Sequence, residues 1–250
     1  MFYYETEAIV LSSFPLAEAD KVVTFLTPNY GVLRGVANGA RNVKSRFSGT
    51  LEPFSSVNVT FSHRERELVR IEKAELKKSY FHLVSKPLLL PYFAFIADTL
   101  ISFIPQGVNE ETTYRMVKAC LETASSLNLP NAQSVPNEMK LLTLYFGIWM
   151  LKLSGYLPNW KYCGGCKKRF DEDYHLRIFI NNFNAFCASC RRAEKASTSL
   201  NKEHLEIFRL ALKLDPQNFI KNIEGNFLKE ASYLHGVIEH LLHSVKEGIE

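Results

Sequence analysis

Four cysteines carry the most specific chemistry in this chain. Cys163-Gly-Gly-Cys166 and Cys187-Ala-Ser-Cys190 are separated by twenty residues, a C-x2-C-x20-C-x2-C arrangement. Each pair places two thiolates on one tight turn, and the glycines of the first turn remove the Cβ atoms that would obstruct it. Two such turns brought together make the tetrahedral four-sulfur set that zinc prefers. The spacing therefore reads as one Zn2+ site. A redox dithiol pair is the rival, and an iron–sulfur cluster is the lesser alternative within the metal reading. Four protein ligands leave no open position for water or substrate, so the metal is expected to be structural. Zinc binding in such peptides contributes about 10–16 kcal/mol near neutral pH, enough to fold a segment too small to bury its own core.

The other reactive side chains point to no catalysis. Cys120 lies between Ala119 and Leu121 in an apolar pattern and is expected to be a buried, inert thiol. His235, His240 and His243 form the one dense histidine group and read as a solvated, cationic helix end. The glycine-rich run from Gly31 to Gly39 lacks both the GK[ST] ending of a P-loop and the spacing of a dinucleotide fingerprint. There is no G-x-S-x-G and no H-E-x-x-H, and Asp171-Glu-Asp173 reads as an exposed acidic turn. The chain is expected not to be an enzyme.

Basic residues are concentrated in two places. From Arg34 to Arg46 the chain carries Arg34, Arg41, Lys44 and Arg46, with no acidic residue, among Gly35, Asn38, Gly39 and Ser45. Glycines let a loop backbone approach phosphates and the cations neutralise them, which is the chemistry of a nucleic-acid contact. A solvated basic face is the plain alternative. From Lys161 to Lys195 eight Lys/Arg oppose four Asp/Glu, a second local excess.

These groups are positioned by two kinds of element. Residues 1 to about 80 hold five short alternating runs: Glu7–Leu11, Lys21–Leu26, Gly31–Val36, Ser56–Phe61 and Glu67–Ile71. In the fourth, Val57, Val59 and Phe61 share one face and Asn58 and Thr60 the other. Asn29-Tyr-Gly31 is a hairpin turn in this reading. Five such strands fit a small barrel or sandwich, the OB barrel among them. After Lys77-Lys78 the spacing becomes helical: Leu88–Ile104, Glu110–Leu127 with Asn109 as N-cap, and Pro136–Ser154 before the cysteines. Lys202–Leu214 and Phe227–Lys246 follow them. Ser125–Val135 and Asp215–Asn226 read as loops. The expected organisation is α+β and multidomain: a domain over 1–80, a discontinuous all-α domain over 81–160 and 197–250, and a zinc module over 161–196 inserted into it.

Composition closes off other classes. With 250 residues, 46% apolar and 22% charged, the chain is neither disordered nor collagenous nor a small disulfide scaffold. A net charge of +4 is by itself a weak argument for a polyanionic partner. The N-terminus carries Glu5 and Glu7 before any apolar stretch and does not read as a secretory signal. The longest apolar stretches are broken by Asp98 or ended by Lys152, short of the roughly 20 clean residues of a membrane span. A cytoplasmic protein with no membrane partner is expected, and there paired cysteines bind metal more often than they form disulfides.

Glu18-Ala-Asp20-Lys-Val-Val23, Gly31, Gly35-Val-Ala-Asn-Gly39-Ala-Arg41, Lys44-Ser-Arg46-Phe47 and Leu51-Glu-Pro-Phe54 together resemble the N-terminal signature of the bacterial RecO recombination-mediator family. The four-cysteine module within a helical region resembles that family's zinc-bearing members. The resemblance implies an N-terminal OB-fold, a helical C-terminal domain and a non-enzymatic protein of DNA repair and recombination. It implies binding of single- and double-stranded DNA, annealing of complementary strands and, with RecR, loading of RecA onto strands coated by single-stranded-DNA-binding protein. The acidic, apolar C-terminal tail of that coating protein is an implied ligand of the helical domain. Arg41, Lys44 and Arg46 match positions the family keeps basic, and Arg34 lies nearby; Asn38 and Asn42 stand where relatives frequently carry Lys or Arg. A stacking aromatic would complete such a surface. Phe47 is the candidate, with Phe54 and Phe61 expected in the core.

Overall fold

In the computed structural model, which describes residues 2–62, 68–127, 137–170, 176–179, 183–190 and 197–249, the N-terminal strands close into a barrel. They are β1 (Tyr3–Leu16), β2 (Asp20–Thr27), β3 (Gly31–Ala37), β4 (Ser55–Ser62) and β5 (Val69–Ser79). The order is β1-β2-β3-β5-β4, with β4 returning to pair with β1. The neighbours are antiparallel except β3 and β5, which run parallel at Gly35 and Val69. This is the five-stranded arrangement of the OB-fold.

Alternation fills the interior with Val23, Phe25, Leu33, Val57, Val59, Phe61 and Ile71. Gly35 is where β3 and β5 meet, and a Cβ there would stand 2.5 Å from Ile71 Cδ1. Any side chain at this point would force Ile71 and Val69 to shift. The expected hairpin at Asn29-Tyr30-Gly31 is present, with Gly31 at φ 62° and the Thr27 hydroxyl donating to Gly31 O at 2.9 Å.

Two strands run further than their alternation announces. A register shift between Val10 and Ser12 breaks the period of two in β1, burying Ile9, Val10 and Leu11 in succession. Beyond that bulge the strand continues to Leu16. β5 continues through Glu72–Ser79, where Ala74 alone is buried and charged residues face solvent.

The helices α1 (Phe81–Val84), α2 (Leu90–Phe103) and α3 (Glu111–Ser126) complete the first compact unit, Met1–Ser126. α2 packs on β1 and α3 on β2. Asn109 Oδ1 accepts from Glu111 N at 3.3 Å, starting α3 near its expected residue. Lys77, Lys118 and Tyr114 converge on Glu7. The hydrogen bond from Lys77, against partial burial, holds that carboxyl below the usual carboxylate range. Cys120 is buried, and desolvation pushes its thiol up to about 12, the inert thiol expected.

The second unit, Leu127–Glu250, holds α4 (Asn137–Leu153), β6 (Leu176–Phe179), β7 (Asn184–Phe186), β8 (Ser197–Leu200), α5 (Lys202–Lys213), α6 (Pro216–Asn222) and α7 (Asn226–Ile249). The helices expected between 81 and 126 thus fall with the barrel, not with the later bundle. α4 precedes the cysteines yet packs against α5, α6 and α7, which follow them. Trp149 Nε1 donates to Ala211 O at 2.9 Å and Tyr145 OH to Leu214 O at 3.2 Å. α6 corrects the reading of Asp215–Asn226 as loop. Asp215 accepts from Asn218 N at 2.9 Å as N-cap, and Pro216 is a favoured first helical residue.

Glu67, residues 128–136 and the acidic turn at 171–173 lie outside the described residues. No described helix is long and apolar enough to cross a membrane.

Candidate nucleic-acid interface and metal centre

The loop 38–54 between β3 and β4 is anchored from within. Phe47 and Leu51 are 2% and 1% exposed and belong to the barrel core, while Phe54 packs on Phe93 with ring centroids 5.0 Å apart. Phe47 is therefore a core residue and not the stacking aromatic expected; Phe54 and Phe61 are buried as expected.

The other end of the loop is tied to the turn between β1 and β2. Gly39 N donates to Asp20 Oδ1 at 2.8 Å, Arg41 N to Ala19 O at 2.8 Å, and Arg41 Nη1 to Ala17 O at 2.6 Å. Arg41, Lys44 and Arg46 are exposed, and the Arg46 guanidinium lies 4.9 Å from the centroid of the Phe47 ring. Among the described residues no carboxylate forms an ion pair with any of the three; nearby Lys21 is matched by Glu52 at 3.3 Å. The loop thus presents uncompensated cations from a fixed base. Asn38 and Asn42 are exposed beside them.

Arg34 is exposed on β3, four residues before the loop begins, roughly 10 Å along the strand from Ala37. It shares a cross-strand row with Ser12 of β1 and Thr24 of β2, because directly opposed residues point to the same face. The next row on that face is Phe14, Val22 and Val36. Phe14 is 64% exposed, the surface aromatic that the sequence reading missed. The signal available was Phe14-Pro-Leu16, apolar residues two apart continuing the strand period.

The four sulfurs of Cys163, Cys166, Cys187 and Cys190 lie within 4.8 Å of one another, so both C-x2-C turns meet as expected. Cys166 Sγ and Cys187 Sγ are 3.8 Å apart. A tetrahedron with the usual Zn–S bond has an edge of about 3.8 Å, so this donor set fits a zinc ion. Burial opposes ionisation of Cys163, but the N–H groups of Cys187, Cys166 and Gly165 outweigh it and bring the thiol down to about 6. Cys190, hydrogen-bonded to Cys166 and Cys187, is pushed up to about 12. A Cβ on Gly165 would come 3.2 Å from Cys190 Sγ, tighter than an ordinary van der Waals contact. Lys161, Lys167, Lys168 and Arg169 are exposed around the first turn, whereas Arg191, Arg192 and Lys195 lie outside the described residues. β6 pairs with β7 and with β8, so Ser197–Leu200 joins the sheet of the cysteine module. His235 bonds to Thr143 and Glu239, and His243 pairs with Glu247; neither joins a metal-type cluster among the described residues.

Barrel, cation-bearing loop and four-sulfur cluster define an OB-fold protein with a metal-type cysteine centre. Family models agree in detail: "Recombination protein O N terminal" matches residues 1–80 and "Recombination protein O C terminal" residues 86–238. The chain belongs to the RecO family. It is 30% identical over 217 residues to the DNA repair protein RecO of Koribacter versatilis, covering 86% of this chain and 83% of that one. The DNA repair protein RecO of Thermodesulfovibrio yellowstonii is 30% identical over 199 residues, covering 79% and 74%. That of Nocardioides sp. is 31% identical over 195 residues, covering 78% and 77%.

Proposed function

We propose that this protein is a recombination mediator of DNA repair that works by binding and annealing DNA strands. Arg41, Lys44 and Arg46, with Arg34 on the adjoining strand face, hold the phosphate backbone of single- or double-stranded DNA. The observation that carries this reading is the loop itself: Phe47, Leu51 and Phe54 are sunk in the core while three cations stand exposed without a described carboxylate partner. Such contacts read no sequence, as annealing of arbitrary complements requires. Membership of the RecO family supports the partners: RecR, the tail of single-stranded-DNA-binding protein and, through them, RecA. Cys163, Cys166, Cys187 and Cys190 hold one zinc ion in a structural role, since all four positions of the tetrahedron are filled by sulfur.

The test is annealing of complementary oligonucleotides without ATP, bare and pre-coated with single-stranded-DNA-binding protein, with and without RecR. Acceleration on both substrates, with RecR altering the rate on coated strands, is expected. A protein that binds no oligonucleotide at low salt and leaves annealing at its spontaneous rate overturns the reading and leaves a zinc-stabilised protein adaptor.

A further inference from the structure

The outer face of β1, β2 and β3 carries three successive cross-strand rows. In the first, Ile9, Leu26 and Val32 are buried at the end where α2 and α3 pack on β1 and β2. The second holds Ser12, Thr24 and Arg34. The third holds Phe14 with half-buried Val22 and Val36. Phe14 is thus an aromatic ring on an apolar strip, open to solvent for 64% of its surface. Leu16, 39% exposed, follows it toward the turn, and Val43, 98% exposed, stands on the basic loop.

Cations stand on both sides of the strip, while the carboxylates at its turn end are Asp20, which accepts from Gly39 N, and exposed Glu18. Arg34 lies one row away and two strands over, roughly 12 Å from Phe14 between Cα atoms by strand spacing. On the other side Arg41 donates to Ala17 O, three residues beyond Phe14, so this cation of the loop is fastened to the same hairpin. Phosphates suit the cations, but phosphates alone give an apolar ring nothing to bind. A polyanion that also offers exposed flat aromatic faces satisfies both, and an unpaired nucleic-acid strand is such a ligand. A duplex keeps those faces stacked inside.

We infer that Phe14 is a base-stacking platform that makes this surface prefer unpaired strands over duplex. The inference rests on the DNA-binding reading above and adds to it the residue that distinguishes the two substrates. In it, the cations contribute alike to both forms and Phe14 contributes to unpaired strands alone.

The experiment measures the affinity of wild type, Phe14→Ala and Phe14→Trp for one labelled strand, its duplex and an abasic strand of equal length at one salt concentration. Losing one stacked base predicts about 5- to 150-fold weaker binding of the strand by Phe14→Ala, with duplex and abasic affinities within about twofold of wild type. Phe14→Trp retains strand binding, and its indole emission changes when the base-bearing strand binds. An unchanged melting temperature shows that Phe14→Ala is folded. Equal losses on strand, duplex and abasic strand, or no loss on any, overturn the inference while the DNA-binding reading stands. Wild-type protein that binds none of the three overturns both.

Discussion

Replacing Arg41, Lys44 and Arg46 together by glutamine removes three charges while keeping polar side chains of useful length. Arg41→Gln gives up the guanidinium bond to Ala17 O but keeps the backbone bond from residue 41 N to Ala19 O, and Phe47 stays in the core whether or not a guanidinium covers it. The variant is therefore expected to fold. On a single strand each neutralised phosphate contributes about −0.7 to the slope of log K against log salt. Four cations, counting Arg34, predict a slope near −2.8, which is roughly a 50-fold loss of affinity between about 50 and about 200 mM salt. With Arg34 alone the slope falls to about −0.7 and the loss to roughly threefold over the same range. Fluorescence anisotropy with a labelled oligothymidine across a salt series reads both quantities directly. A triple variant with the wild-type slope refutes the assignment. The phosphates would then be neutralised elsewhere, with the exposed Lys167, Lys168 and Arg169 beside the cysteines the next surface to alter.

Two further outcomes follow from the packing. Cys163→Ser or Cys187→Ser, or strong chelation, should reduce bound zinc from one per chain to none and unfold the 163–200 region, seen as new protease cleavage there. Zinc retained at full stoichiometry with either serine would contradict a four-sulfur site. Gly35→Ala places a Cβ against Ile71 Cδ1 at the closure of the barrel and should destabilise the first unit by about 1–3 kcal/mol through overpacking, read by denaturant melts. An alanine variant as stable as wild type would mean that β5 yields there without loss.

What the sequence revealed and what it hid have physical reasons. The cysteine cluster was legible because two short turns with fixed internal spacing need only meet once to make a tetrahedron. β4 was legible because Val57, Val59 and Phe61 alternate against one core. β1 was read short because its bulge puts Ile9, Val10 and Leu11 out of period, and stopping the strand at Leu11 hid Phe14. β5 was read short because Glu72, Lys73, Glu75, Lys77 and Lys78 describe a solvated strand face, which resembles a loop in composition. α6 vanished into an Asn-rich segment although Asp215-Pro216 is a helix start. Phe47 shows the opposite error: an aromatic among exposed cations looks available, and only the closed barrel reveals that it is the loop's anchor.

The burial of α4 bears on the order of biosynthesis. Met139, Leu141–Ile148, Met150 and Leu151 are all buried, so this helix is apolar around most of its circumference. Its main partners, α5, α6 and α7, begin at Lys202, after the cysteine module. At about 5–20 residues per second, a ribosome takes several seconds to pass from the end of α4 to the first of them. During that interval the helix is sticky and unpaired, and the cysteines are the next segment to emerge. On the zinc reading proposed above, metal supply governs how promptly the chain behind it can fold back, so metal starvation acts first on newly made protein and only later on the stability of the finished one.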